Sequence, residues 1–340
     1  MKTHVNIPIF IPHLGCPHSC VFCNQRKISG HEKADFSAVP GEIEKALSTV
    51  KDGQTAQIAF FGGSFTGIDR GDMIYLLSVA KKYVDAGKVE SVRLSTRPDY
   101  IDGEILDILE KYGVGSIELG LQSMNDKVLS LCERGHTAEC GERACKMIKA
   151  RGFELIGQMM TGLPGASYDD DVMTAKKIAA LCDGARIYPT VVFRGTKLCD
   201  MAEDGEYKIP SLDELIDRTV GALREFYRAG KPVIRLGLQA SDGVLDGENV
   251  YSDTYRPAMG EICYSRLFRE IIVEKFPTGA RDVTVLVAPK SLSMAIGQRG
   301  ENRKYLKNKF GLRRLAIKGD GALSDFDVKI LTEENNSDET

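Results

Sequence analysis

The sequence predicts an α/β fold: a parallel sheet curled into a partial or full barrel, followed by a small second α/β module. Three observations carry this. Short β-branched apolar runs alternate with segments of helical period from the N-terminus to about residue 190. Glycine-rich or polar clusters follow the strands, as in barrels whose site sits on the strand C-terminal rim. The composition then turns basic at Arg281, where the second module begins.

Val5–Ile11 is the first expected strand, and it delivers a cysteine loop at its C-terminal end. Pro40–Val50 is expected as a helix, with Pro40 near its start and Ile43, Ala46 and Leu47 on one face. Gln57 opens a strand ending at Gly62-Gly63-Ser64, and Met73–Val84 is its helix. Ser91–Ser95 and Ser116–Leu121 are the next strands, with helices over Ile105–Tyr112 and Ala138–Ala150. Phe153–Met160 leads into Thr161-Gly-Leu-Pro-Gly165 and a helix over Asp171–Leu181. Ala185–Tyr188 is the sixth strand, and Val233–Leu238 is a candidate seventh. Leu212–Tyr227 is amphipathic, with Leu215, Ile216, Val220, Leu223 and Phe226 inward. These elements give a barrel over residues 1–235 and a connecting, barrel-closing segment over 236–280, in which Glu261–Phe276 is helical.

The 340 residues suffice for one large domain and a small one. Forty-five basic against 48 acidic residues give −3, so total charge makes no case for a nucleic-acid partner. No N-terminal apolar stretch is long enough for a signal peptide, and Pro8 and Pro12 interrupt it. No run approaches the roughly 18 apolar residues of a membrane span. Nine cysteines without a secretory signal point to a reduced, cytoplasmic protein that binds metal or buries its thiols.

Cys16, Cys20 and Cys23 form a C-x3-C-x2-C loop. Four thiolates normally saturate a four-iron cluster, so three leave one iron open to a cofactor or substrate. Zinc and a disulfide are the competing readings. The first lacks a second cysteine pair, and the second lacks an oxidising compartment. Beyond the barrel only Cys263 remains, so no second cluster is expected.

This loop, with Phe22 before its last cysteine, resembles the radical S-adenosylmethionine (radical SAM) superfamily. Further strings resemble the radical SAM part of the catalytic subunit of Elongator, which modifies the tRNA wobble uridine. They are Phe61-Gly-Gly-Ser-Phe-Thr66, Thr96-Arg-Pro-Asp-Tyr100, Glu118-Leu-Gly-Leu-Gln-Ser123, Arg134-Gly-His-Thr137, Met159-Met160, Tyr188-Pro-Thr190 and Arg194-Gly-Thr196. The resemblance implies a partial (β/α)6-type radical SAM barrel. It implies a [4Fe-4S] cluster on Cys16, Cys20 and Cys23 and S-adenosylmethionine on the open iron. It implies Gly62, Gly63 and Ser64 at the methionine amino group and Arg134 at its carboxylate. Ser95 and Gln122 would lie near the ribose, with Gln158 and Tyr188 also facing the cofactor. Ser95 and Gln158 depart from the acids or histidine that relatives often carry there. No separate catalytic residue is assigned. The acetyltransferase domain of the Elongator subunit has no counterpart in this sequence, so acetyl transfer is not carried over.

Residues 281–318 hold ten Lys and Arg against two acids, a local balance near +8. A strand over Asp282–Val287, helices over Lys290–Ile296 and Glu301–Phe310, and strands over Arg313–Ile317 and Phe326–Leu331 are expected. Between the helices stands Ile296-Gly-Gln-Arg-Gly300. This module, residues 281–332, resembles a KH domain lacking its final helix. The GxxG loop of that family clamps a nucleic-acid backbone. The resemblance implies RNA contacts at Gly297, Gln298, Arg299, Gly300, Arg303 and Lys304. Residues 333–340 are expected as a disordered acidic tail.

The expected function is a radical SAM enzyme, an RNA-modifying transferase with tRNA as the favoured substrate. It would be served by an electron donor such as flavodoxin or ferredoxin. The alternatives are a radical SAM enzyme acting on a small molecule or peptide, and a non-enzymatic iron–sulfur RNA-binding regulator.

Overall fold

His4–Ile11 (β1), Thr55–Gly62 (β2), Ser91–Thr96 (β3), Val114–Gln122 (β4), Glu154–Thr161 (β5), Gly184–Pro189 (β6) and Val233–Leu236 (β7) form one parallel sheet. The computed structural model describes residues 4–11, 16, 20–23, 36–238 and 249–332. The chain divides into two compact units, Met1–Pro257 and Ala258–Thr340.

Strand order in the first unit follows chain order from β1 to β7 without a reversal. An open doubly wound sheet would reverse direction at a switch point, so this is the curled sheet of a partial barrel. β1 and β7 are its two edges, and the candidate seventh strand completes it as a four-residue edge. Central strands are buried on both faces, as in Ala56–Phe60, because helices cover the outside.

The helices are Val39–Leu47 (α1), Arg70–Asp85 (α2), Gly103–Lys111 (α3), Asp126–Leu131 (α4), Ala138–Ala150 (α5), Tyr168–Leu181 (α6), Lys197–Glu203 (α7) and Leu212–Arg228 (α8). α8 buries all five apolar residues expected inward. α1 ends three residues before Val50. There the Ser48 and Thr49 hydroxyls donate to the carbonyls of Lys45 and Ala46, each at 2.7 Å, and compete with the helical ladder. No expectation covered α4 and α7, which are too short to show a periodic pattern. Asn125 and Thr196 start them as N-caps. Among the described residues, no helix is long and apolar enough to cross a membrane.

In the second unit, Met259–Glu274 (α9) precedes Asp282–Val287 (β8), Leu292–Ile296 (α10), Glu301–Lys309 (α11), Arg314–Gly319 (β9) and Val328–Thr332 (β10). β8 is central, parallel to β9 and antiparallel to β10. α9, read from sequence as part of a connecting segment, packs here against α10 and α11. The module therefore has a third helix, at its N-terminal side. Phe326 stands outside the strand expected to start there: its φ is +63°, and its ring stacks on Phe268 at 5.2 Å. The acidic tail, 333–340, lies outside the described residues.

Candidate active site

The cysteine loop is fixed by its apolar residue. Val21 is 1% exposed and packs with Val128, Cys132, Leu163, Val192, Leu198 and Cys199. Its N–H donates to the Cys132 carbonyl (3.3 Å), and its carbonyl accepts from the Leu198 amide (2.8 Å). The two unforeseen short helices thus clamp the loop from either side. Cys20 is buried and Cys23 half-buried, joined by a turn in which the Cys23 amide donates to the Cys20 carbonyl. Cys16 is exposed as a residue, but its sulfur lies beside Arg97, Cys20 and Arg134. Desolvation there pushes its thiol up, against the pull of Arg97. Residues 17–19 lie outside the described residues.

Two buried guanidiniums face this loop. Arg134, at 5% exposure, donates through Nη1 to Cys20 Sγ (3.1 Å) and through Nη2 to the Gly120 carbonyl (2.6 Å). Among the described residues its Nε is buried without a partner. Arg97 lies with Nη1 4.0 Å from the same sulfur and forks onto Asp99 at 3.0 and 2.8 Å. The loop after β3, Arg97-Pro-Asp-Tyr100, thereby reaches the cysteines.

The glycine pair after β2 is shaped by close approach. Gly62 has φ +118°, and a Cβ there would sit 2.3 Å from the Ile11 carbonyl oxygen. The Gly63 amide donates to that same oxygen at 2.9 Å, tying this loop to the strand that delivers the cysteines. Ser64 is fully buried. Its hydroxyl bonds the Thr96 hydroxyl (2.9 Å) and accepts from the Arg97 amide (3.3 Å). The Ser64 backbone also hydrogen-bonds the Cys16 thiol. After β4, Gln122 holds a left-handed φ of +63° beside a register break, with its Oε1 buried and, among the described residues, unpartnered. Such a conformation costs about 1–3 kcal/mol and is typical of ligand sites. After β5, Gly162 is held by Asp171, itself paired with buried Arg218 at 2.6 Å.

Below the rim, side chains at alternate strand positions meet inside the sheet. Glu118, 0% exposed, accepts from Arg93 (3.2 Å), Arg186 (2.7 Å) and Gln158 (2.9 Å). Gln158 also approaches Ser95 at 3.5 Å, and Arg186 hydrogen-bonds Tyr188 and lies over the Phe61 ring at 5.3 Å. Ser95, Gln158 and Tyr188 therefore belong to one polar cluster whose hub is Glu118. The sequence signal for that hub is period two: Arg93 and Ser95, Ser116 and Glu118, Arg186 and Tyr188 interrupt otherwise apolar strands.

In the second unit, Gly297 and Gly300 have φ of +78° and +73°, with Arg299 left-handed at +51°. Asn302, 2% exposed, donates to the Ser265 carbonyl (2.7 Å) and hydroxyl (3.0 Å) and to the Met294 and Ala295 carbonyls (3.2 and 3.3 Å). It pins the loop between α9, α10 and α11. Gln298, Arg299, Arg303 and Lys304 are exposed around it.

Comparison with known proteins places this geometry. The family model described as the Radical SAM superfamily matches residues 10–178, and the Radical_SAM C-terminal domain matches 182–268. An uncharacterized protein of Methanocaldococcus jannaschii is 30% identical over 262 residues, covering 73% of this chain and 79% of that protein. The chain belongs to the radical SAM superfamily.

Its relatives include a protein named as a tRNA uridine acetyltransferase and one named as an Elongator component. A tRNA uridine(34) acetyltransferase of Methanocaldococcus infernus is 34% identical over 147 residues, 42% of this chain and 28% of that protein. Elongator complex protein 3 of Saccharomyces cerevisiae is 26% identical over 253 residues, 61% of this chain and 45% of that protein. The chain thus spans less than half the length of these two relatives. The solved archaeal Methanocaldococcus infernus Elp3, with an N-terminal deletion, shares the fold at TM-score 0.61 and 20% identity. That match covers 79% of this chain and 64% of the other.

The radical SAM family implies an iron–sulfur cluster and S-adenosylmethionine, and the residues present fit both. Among the described residues, no three Cys, His, Asp or Glu side chains converge as a single-ion site. A multi-iron cluster does not require that, because each thiolate binds a different iron. Cys16 and Cys20 share one neighbourhood with two guanidiniums; among the described residues Arg97 pairs with Asp99, and no carboxylate pairs with Arg134. Thiolates and a carboxylate would balance that positive charge. Gln122 Oε1 and Arg134 Nε, unpartnered among the described residues, are an acceptor and a donor suited to a polar ligand.

Proposed function

We propose that this radical SAM protein reductively cleaves S-adenosylmethionine and acts on RNA, with tRNA as the favoured substrate. Cys16, Cys20 and Cys23 would hold a [4Fe-4S] cluster. Held there, the cluster would supply the electron for reductive cleavage of the sulfonium bond, the source of a 5′-deoxyadenosyl radical. One observation carries the reading: Arg134 reaches the Cys20 sulfur while its buried Nε has no partner among the described residues.

This chain's own residues then have distinct tasks. Gly62 and Gly63 lie against the Ile11 carbonyl, at the end of the strand before the cysteines, and Ser64 is tied to Thr96 and Arg97. Arg134 offers a donor to a carboxylate. Gln122, Ser95, Gln158 and Tyr188 line the side where the nucleoside would lie. The hydrogen bonds to Glu118 inside the sheet fix the geometry of Arg93, Gln158 and Arg186.

The RNA reading rests on the second unit, which we take as a KH-like module over residues 281–332, with the barrel over 1–235. Its left-handed glycines let backbone approach phosphates, and the exposed Arg299, Arg303 and Lys304 supply charge. The electron donor is of the flavodoxin or ferredoxin class.

The test compares RNA nucleosides by mass spectrometry from cells with and without the gene. A nucleoside that disappears with the gene and returns with the wild-type chain, but not with Cys20→Ala, is the expected result. In parallel, Arg299→Glu with Arg303→Glu should weaken tRNA binding and lower its salt slope by about 2. Identical nucleoside profiles with unchanged tRNA affinity would remove RNA as the substrate and favour a small molecule or peptide.

A further inference from the structure

We infer that Arg97 tunes the cysteine centre electrostatically: its buried guanidinium sets how readily the cluster held by Cys16, Cys20 and Cys23 accepts an electron. This inference rests on the cluster reading above.

Arg97 is 4% exposed and held from several directions. Its backbone N–H donates to Ser64 Oγ (3.3 Å), and its Nη2 donates to the Arg134 carbonyl. Its Nε and Nη2 fork onto the Asp99 carboxylate. That leaves Nη1 directed at Cys20 Sγ, 4.0 Å away. A guanidinium so fixed has a constant orientation toward the sulfur and needs no rearrangement when charge changes there.

Asp99 does not cancel this charge at the cysteines. Its side chain is 25% exposed against 4% for Arg97, so water screens the carboxylate more than the guanidinium. The field at Cys20 is therefore positive, and Arg134 at 3.1 Å adds to it. Arg134 is already assigned to the cofactor, whereas Arg97 has its donors committed to protein groups. Its remaining influence is through charge and through bracing the Arg134 carbonyl.

The step concerned is the uptake of one electron from a low-potential one-electron donor, with no bond broken. Added negative charge next to a buried cation is favoured, and net charge and hydrogen bonds to sulfur are known levers on cluster potentials. Losing the cation makes electron uptake harder and moves the midpoint potential more negative. Losing the Asp99 charge does the opposite.

The experiment is a redox titration of the anaerobically reconstituted full chain, with dithionite as reductant and the reduced cluster followed by electron paramagnetic resonance. Arg97→Gln should lower the midpoint, Arg97→Lys should restore much of the difference, and Asp99→Asn should raise the midpoint. The inference is overturned if Arg97→Gln and Asp99→Asn leave the midpoint unchanged, or move it in the same direction, at unchanged iron content. Should Arg97→Gln fail to assemble a cluster, the direction of the Asp99→Asn shift decides. Failure of the underlying cluster reading looks different: Cys20→Ala would then keep the iron content of the wild type.

Discussion

Replacing Glu118 by Gln should destabilise the barrel by about 3–5 kcal/mol, because it strands a buried cation. Glu118 is fully buried and accepts from three side chains. Arg93 keeps Glu154 at 2.8 Å and Gln57 at 3.1 Å, so it loses one partner of three. Arg186 is worse placed. Its ion pair is with Glu118 at 2.7 Å, and its Nε is already buried without a partner. A hydrogen bond to a charged group contributes about 1.5–3 kcal/mol, and the unpaired guanidinium adds its desolvation. Burial opposes the Arg186 charge and Glu118 supports it, so the pair is the decisive contact. The assay is urea unfolding of the apoprotein for Glu118→Gln, Arg186→Leu and the double variant. The double variant should cost about 2 kcal/mol or more less than the two single losses added together, since removing both charges leaves neither stranded. Strict additivity, or a single-variant cost below about 1 kcal/mol, would refute the reasoning.

In the apoprotein His136 has its pKa pushed down to about 4, first by burial and then by Arg134. The unfolded chain takes up that proton near pH 6.5, so this contribution is complete above about 6.5 and is lost as pH falls toward about 4, roughly 3 kcal/mol in all. His136→Gln should flatten the fall in urea midpoint across that window; an equal fall in both proteins would contradict it. Asn302→Ala should cost about 1–3 kcal/mol and speed amide hydrogen exchange at residues 297–300, because the GxxG loop loses its tether to Ser265. Unchanged exchange there would show that the loop holds its shape without Asn302.

Much of this architecture is legible in the sequence because the signals are repetitive. Six strand-and-helix alternations, with an unusual loop after each strand, are enough to predict a curled parallel sheet with its site on one rim. The amphipathic α8 shows its inward face directly. What stays hidden depends on contacts between segments distant in sequence. Helices α4 and α7 are short and have little period, yet they clamp Val21. Arg97 stands in a string whose pattern is visible, but only the fold brings it 77 positions back to Cys20. Glu118 is one acid in an apolar strand, and its role as hub appears when β3, β5 and β6 supply its donors. Asn302 follows the GxxG loop like any polar helix residue, while its four acceptors lie on α9 and α10.

In the proposed function, three cysteines hold a cluster that cleaves S-adenosylmethionine. The direct measurement is 5′-deoxyadenosine formed by the anaerobically reconstituted, dithionite-reduced chain, alongside its iron and sulfide content. The wild type should form 5′-deoxyadenosine from S-adenosylmethionine. Cys16→Ala, Cys20→Ala and Cys23→Ala should each lose both the product and most of the iron. A wild-type chain that binds the full cluster yet forms no 5′-deoxyadenosine, or cysteine variants that keep forming it, would contradict the account.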